Sequence, residues 1–492
     1  MNAARLSILA ALVLLQAFAI GAALEHFSAL LGLGVLVLAA VLILAVPGAL
    51  RQAAAGFGAL RRQLRWWHLL WLLLFLSDMT FRIRDANEIQ DSPVDFWAGY
   101  RMALVGAAGL VLAIRFAIGQ TEWLRSLFQG LARVLAIYGA VCLVSTAWSI
   151  YPQWTLYKSV EFLIDASVLA TILAAADTVE GYKSLFDWTW VLTFGLMGTV
   201  WIGAVIWPED ALAHGVGTLG WQLSGVIPAV SANGVGEISA LLAIVALARL
   251  VVRDRATARR ALYGLLFQGS LLTLILSQTR SALTAFVFGV AVLLFFSKRV
   301  GLIAFTAVGV VLAAFQTTLG GTLLSYFLRG QDRQMFGSLS GRTDWWVYAW
   351  SKFLERPWTG WGAYAGGRFV AMADLGDSST SSIHSTYIEV LLGTSVWGLL
   401  PVLALLAGAW WLLIRGLNRS EPGIERQLAL EALAVLGVIT VRSLFTTHLI
   451  WHASALPFLL VLGYAEFMRR RPIWALLRRH PVVDAQQEGT LC

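Results

Sequence analysis

Long apolar runs, broken by short polar or charged connectors, repeat along almost the whole chain. A helix needs about 20 predominantly apolar residues to cross the hydrocarbon core of a bilayer. Fourteen runs approach that length. They fall near 6–24, 28–50, 66–81, 97–117, 131–148, 161–176, 188–207, 231–250, 261–278, 282–297, 301–323, 386–414, 429–446 and 451–468. The first lacks a strongly basic start and the second follows almost at once, which argues against a cleaved leader. The sixth and tenth are short, and the twelfth is long enough to tilt, break or include an interfacial helix. The pattern predicts an all-α polytopic membrane protein with about 12–14 transmembrane helices, one integral membrane domain over residues 1–492.

Composition agrees. Hydrophobic residues make up 59% and charged residues 13% of 492 residues, where a soluble domain carries about 25% charge to cover its surface. The two cysteines, Cys142 and Cys492, are too few for a disulfide framework or a thiolate metal site.

The distribution of charge adds orientation. Lys and Arg concentrate in cytoplasmic loops, and an arrangement with both termini inside puts 24 of the 36 basic residues on that side. Twelve oppose the bias: Arg82, Arg84, Arg101, Lys158, Arg280, Arg329, Arg333, Arg342, Lys352, Arg356, Arg368 and Arg442. Ten of these are arginine, whose planar fork grips phosphate with two parallel hydrogen bonds. As a set they point to a phosphate-bearing ligand handled at the outer face. For any single arginine the structural alternative is snorkelling to the interface or pairing with a nearby acid. The net charge of +8 thus reflects topology and needs no nucleic-acid partner.

The longest hydrophilic stretch, 324–385, exceeds an ordinary connection and is expected to fold as a periplasmic loop and form part of the active site. Within it, 342–355 reads as a helix crowded with Trp345, Trp346, Tyr348 and Trp350, suited to the membrane surface. The glycines between Gly360 and Gly367 read as turns. His384 ends the loop just before the next run, where an imidazole can take a proton from a hydroxyl. Arg280 sits in the hairpin LSQTRSAL between two apolar runs, where a cation must face a polar cavity. Asn233, Tyr387, Arg442 and His448 are further pocket candidates, with Arg82, Arg84 and Arg101; Glu237, one turn after Asn233, reads as protonated or paired, or as a structural helix contact. No metal-binding pattern, phosphate-binding loop or nucleophile motif stands out. Arginines with one base suit transfer from a diphosphate donor, guanidinium groups neutralising the leaving group in place of a metal. No cofactor is implied. A transporter or flippase for a lipid-linked glycan is the alternative from another class, but no repeated halves are discernible.

Three segments resemble the bacterial O-antigen ligase and polymerase superfamily, which includes exopolysaccharide polymerases: LSQTRSAL at 276–283, SGRTDWW with ERPWTGWG across 340–362, and HSTYIEVLLGTSVWGLL at 384–400. Ser385 departs from the family's usual Asn. The resemblance implies a GT-C-like fold in the bacterial inner membrane. It implies an undecaprenyl-diphosphate-linked oligosaccharide as donor, bound by Arg280 and Arg342. His384 would be the base that activates an acceptor hydroxyl at the periplasmic face, with inversion. The acceptor would be a second lipid-linked glycan in a polymerase, or lipid A-core in a ligase. The wording of 340–362 leans towards the polymerases.

Overall fold

The computed structural model describes residues 51, 54–82, 84–214, 220–251, 257–299, 301, 321, 328, 341–377, 382–452 and 454–477. The runs at 6–24 and 28–50, nearly all of 301–323, and Arg329 and Arg333 lie outside the described residues. The principal helices are α1 (Trp66–Ser77), α2 (Phe96–Ala117), α3 (Gly130–Val144), α4 (Pro152–Ala175), α5 (Val179–Ile206) and α6 (Ala232–Val251). They continue as α7 (Thr257–Leu276), α8 (Arg280–Phe296), α9 (Arg342–Glu355), α10 (Thr386–Arg419), α11 (Ile424–Arg442) and α12 (Leu456–Leu477). Two short antiparallel strands, β1 (Leu212–His214) and β2 (Trp221–Leu223), pair with Leu212 opposite Leu223. The chain is therefore an all-α polytopic membrane protein, and each predicted run among the described residues coincides with a helix.

Five described helices are long and apolar enough to cross a bilayer: Phe96–Ala117, Gly130–Trp148, Val179–Ile206, Ala232–Val251 and Thr386–Arg419. Their outward faces are apolar, as at Leu110, Val205 and Leu400, and suit contact with lipid rather than water.

One helix differs from its sequence reading for a physical reason. The run at 161–176 looked short, yet α4 begins at Pro152, a residue pre-set for the first helical position. Lys158, Glu161 and Asp165 broke the apolar pattern, but all three are buried and paired. Lys158 Nζ lies 2.6 Å from Glu161 Oε2. Asp165 Oδ1 lies 2.8 Å from His452 Nδ1, and His452 Nε2 is 2.7 Å from Ser77 Oγ.

The long α10 is interrupted at Ser395, whose φ of 60° and ψ of −155° are non-helical. The break leaves carbonyls at Leu392 and Gly393 that the helix itself cannot use. The 360–362 strap takes them: Trp361 N–H donates to Leu392 O and Gly362 N–H to Gly393 O, each at 2.9 Å. Gly360 has φ +67°, and a Cβ there would lie 2.5 Å from Gly393 O. The expected turn is thus a docked strap whose glycine permits close backbone approach.

The centre of the bundle is the antiparallel pair α6–α11, joined at both ends by buried ion pairs. At one end Arg249 Nε donates to Glu431 Oε2 at 2.9 Å, and Arg249 Nη1 reaches Asp187 Oδ1 at 2.7 Å. At the other, Arg442 Nη2 lies 2.7 Å from Glu237 Oε2. The spacing 237–249 against 431–442 corresponds to roughly 17–18 Å of helix on each side. Helix α8 packs onto α11 through Gly289, where a Cβ would meet Val438 Cγ2 at 2.7 Å and Ala434 O at 3.0 Å. Small residues allow this approach between helices in lipid, where no hydrophobic force drives association.

Gly289→Leu should therefore force α8 from α11 and cost about 1–3 kcal/mol or more. Gly264→Leu on α7, with nothing within 4 Å of the added carbon, should be tolerated. Thermal unfolding of the two variants in detergent checks this, and equal midpoints would refute the packing argument.

Candidate functional site

The site forms at the Glu237–Arg442 end, where four stretches of sequence meet. The first is the start of α6. Glu237 sits near its beginning, and its carboxylate divides its contacts: Oε2 accepts from Arg442 Nε at 2.8 Å, and Oε1 lies 2.6 Å from His448 Nδ1. The sequence left open whether Glu237 is a protonated or a paired group; it is paired. Arg442, the last residue of α11, is 2% exposed. It also donates to Ser281 Oγ and, at 3.3 Å, to the carbonyl of Asn233. Asn233 therefore contributes its backbone oxygen.

The second stretch is the hairpin between α7 and α8. Gln278 turns it with φ 49°. Thr279 Oγ1 donates to Ala232 O at 2.8 Å, tying the turn to α6. Gly236 makes this possible, since a Cβ there would lie 2.6–2.8 Å from Thr279 and Ser277 side-chain atoms. Arg280 heads α8, next to the Ser281 hydroxyl that Arg442 holds.

The third stretch is the entry to α10. Thr386 N–H donates to Ser443 O at 3.0 Å, and its hydroxyl to Thr446 O at 2.7 Å. Tyr387 OH lies 2.8 Å from Ser443 Oγ. These bonds pin the start of α10 to the end of α11. His384 just precedes it with φ 55°, a left-handed conformation that histidine tolerates better than most residues.

The fourth is α9, which spans Arg342–Glu355 as the sequence predicts. Trp346 Nε1 donates to Ile383 O at 3.1 Å, and the Trp345 ring stacks near His384 with centroids 6.0 Å apart at 26°. Trp345 and Trp346 lie three and four residues after Arg342, on the same helix face. The helix does expose Val347, Trp350 and Leu354 as a surface helix would. The aromatic cluster also has a second role, as the wall beside His384.

Electrostatics unite these pieces. Burial pushes the His384 imidazole down, and the fields of Arg342, Arg442 and His448 push it further, to about 3; Asp377 opposes weakly. His384 is thus a neutral imidazole at physiological pH. A cavity of about 240 Å³ adjoins the cluster, with Thr80, Ser231, Glu237 and His448 among its polar lining and Phe75 and Leu241 among its apolar walls.

Not all predicted residues gather here. Arg82 and Arg84 face Asp95 at 3.7 Å, and Arg82 also pairs with Glu88 at 3.0 Å. Arg101 lies with Lys158 and Glu161. These three arginines form a separate group. His452 is a buried bracket between Asp165 and Ser77. Sequence reasoning missed Glu389, which accepts from Ile383 N–H at 3.2 Å beside His384. Its only sequence signal was a carboxylate within an apolar run. No group of three or more His, Cys, Asp or Glu side chains arranged to hold a metal occurs among the described residues.

The family described as Wzy_C: O-Antigen ligase matches residues 265–403. No curated protein matches the chain. The matched segment runs from α7 into α10 and contains Arg280, Arg342 and His384. This segment, 139 of the 492 residues, is thus similar to the O-antigen ligase family.

Proposed function

We propose that the protein is a metal-independent, inverting glycosyltransferase. It transfers an undecaprenyl-diphosphate-linked glycan to an acceptor sugar hydroxyl at the periplasmic face of the inner membrane. The observation that carries the reading is geometric: Trp345, on the helix that Arg342 heads, stacks near His384, and the entry to α10 just after it is pinned to the backbone past Arg442; the fields of Arg342, Arg442 and His448 act on the same imidazole.

In the proposed reaction the acceptor oxygen attacks the anomeric carbon as its proton passes to His384. The bond from that carbon to the diphosphate oxygen breaks, and the electron pair leaves on the diphosphate. Arg280 and Arg342 neutralise the charge that develops there, most effectively where water is excluded. The donor also prepares the base. Its negative charge offsets the guanidinium fields that hold His384 down, so proton affinity rises once the donor is bound. Arg442 is fixed by Glu237 and supports this field from below. The acceptor is read as a second lipid-linked repeat, giving polymerisation; with lipid A-core as acceptor the same chemistry is ligation.

The direct test supplies purified protein with lipid-linked repeat units, with and without lipid A-core. Chain growth on repeats alone supports polymerisation, and transfer only to lipid A-core supports ligation. Transport of the lipid-linked glycan with no product would overturn the enzyme reading. His384→Ala should lower turnover about 10²–10⁴-fold, the usual contribution of a general base. Arg280→Ala and Arg342→Ala should each cost about 10²–10³-fold. Normal output from folded His384→Ala would eliminate the base. EDTA should leave the rate unchanged.

The charge state of His384 gives an independent test. With its proton affinity lowered from 6.5 to about 3, the folded state resists a proton that the unfolded chain accepts. Stability should therefore fall as pH drops from about 6.5 towards 3. NMR of labelled His384 should show a neutral ring at pH 5. Arg342→Gln should raise its titration midpoint, and an unchanged midpoint would disprove the field argument.

A further inference from the structure

The group containing Arg101, Lys158 and Arg368 is not used by the proposed reaction. Lys158 on α4 is buried and lies in the electrostatic field of both Arg101 on α2 and Arg368 from the short π-helix Gly367–Met372. Lys158 has a carboxylate partner, Glu161, at 2.6 Å. The two arginines do not: among the described residues neither has a carboxylate oxygen within 4.0 Å. Arg368 is 5% exposed. Its Nη2 donates to Arg84 O at 2.5 Å, but its Nε is buried without a hydrogen-bond partner. Arg101 Nε is buried and unpartnered too. The Trp154 ring stands 5.5 Å from Arg368 Cζ and 5.2 Å from Lys158 Nζ. Its Nε1 donates to Tyr364 O at 3.1 Å, which fixes the ring as a wall.

A guanidinium as buried as that of Arg368, which Asp85 and Glu389 reach only through their fields, is costly without a carboxylate in contact, and cation–π contact offsets only part of that cost. Their unused N–H donors suit a planar or tetrahedral oxyanion, which accepts two parallel bonds from each fork. We infer that Arg101, Lys158 and Arg368 form a second oxyanion site, separate from Arg280 and Arg342, that takes a carboxylate or phosphate group carried by the acceptor glycan. The assignment to the acceptor rests on the glycosyl-transfer reading; the anion site does not.

The connection to His384 is structural. Gly367, next to Arg368, packs against Glu389, where a Cβ would lie 2.2 Å from the carboxylate. The same carboxylate accepts from Ile383 N–H, adjacent to His384. An anion held by Arg368 is thereby registered to the base through one short bridge. The Trp154 and Tyr157 rings beside Lys158 add apolar faces of the kind that sugar rings stack on.

The experiment uses the full chain in nanodiscs of zwitterionic lipid, titrated calorimetrically with inorganic pyrophosphate. Wild type should bind at two sites. The double variant Arg101→Gln/Arg368→Gln should weaken one of them about 10- to 100-fold. Arg280→Gln/Arg342→Gln should weaken the other. Arg101→Lys/Arg368→Lys, which keeps the charges, should retain part of the binding and serves as the folding control. If the double glutamine variant does not fold, Arg101→Gln alone provides the measurement, because this side chain is only half-buried. An isotherm unchanged by these substitutions overturns the site, whether or not the protein transfers glycan. Repeating the titration in nanodiscs with phosphatidylglycerol separates the sources. Persistent second-site binding supports a glycan anion. Its loss assigns the site to a lipid headgroup and overturns the acceptor assignment. In turnover, Arg101→Gln should raise the KM for an acidic acceptor about tenfold and leave the donor KM unchanged; a rise in donor KM alone would also overturn that assignment.

Discussion

The antiparallel pairing of α6 with α11, clamped at both ends by buried ion pairs, is the constraint on which the rest depends. In lipid there is no hydrophobic force to bring two helices together, so packing and polar contacts must specify the pair. Arg249 with Glu431 closes one end and Glu237 with Arg442 the other. Breaking one partner of such a pair leaves a buried charge, which is far costlier than losing a contact. The register of the two helices is therefore set by electrostatics, and the packing of α8 through Gly289 follows from it.

One of those clamps also forms the floor of the site. Glu237 holds Arg442 with one oxygen and His448 with the other. Arg442 in turn holds Ser281, beside Arg280, and its field reaches His384. The entry to α10 hangs on the backbone just past Arg442, through Thr386 and Tyr387. The contacts that specify the fold thus place the cations. A neutral histidine among fixed guanidinium groups is electrostatically incomplete and suits a strongly anionic ligand.

Much of the helix pattern was legible because lipid enforces it. Each apolar run had to become a helix, since only internal hydrogen bonds satisfy the backbone in a bilayer. The polar helix α9 was also readable, from its aromatic crowding and the Arg356-Pro357 stop. The start of α4 was not. Lys158, Glu161 and Asp165 look like the end of a span until their partners are known, and those partners are up to 287 residues away. The length of the α10 run allowed a break, but its position was hidden, because the strap whose N–H groups donate to the freed carbonyls lies some 30 residues earlier.

By itself the sequence determined the membrane class, the helix pattern, the minority of basic residues set against the charge bias, and three motifs carrying Arg280, Arg342 and His384. These properties are local: hydropathy, charge and short spacing need no knowledge of neighbours. Only the tertiary structure decided how the unexpected cations divide. Arg442, held by Glu237, sets its electrostatic field on His384, and Arg84 and Arg101 lie with Lys158 and Arg368 instead. Which charges share a pocket depends on which helix ends meet, and that is settled by packing and buried ion pairs between residues far apart in the chain.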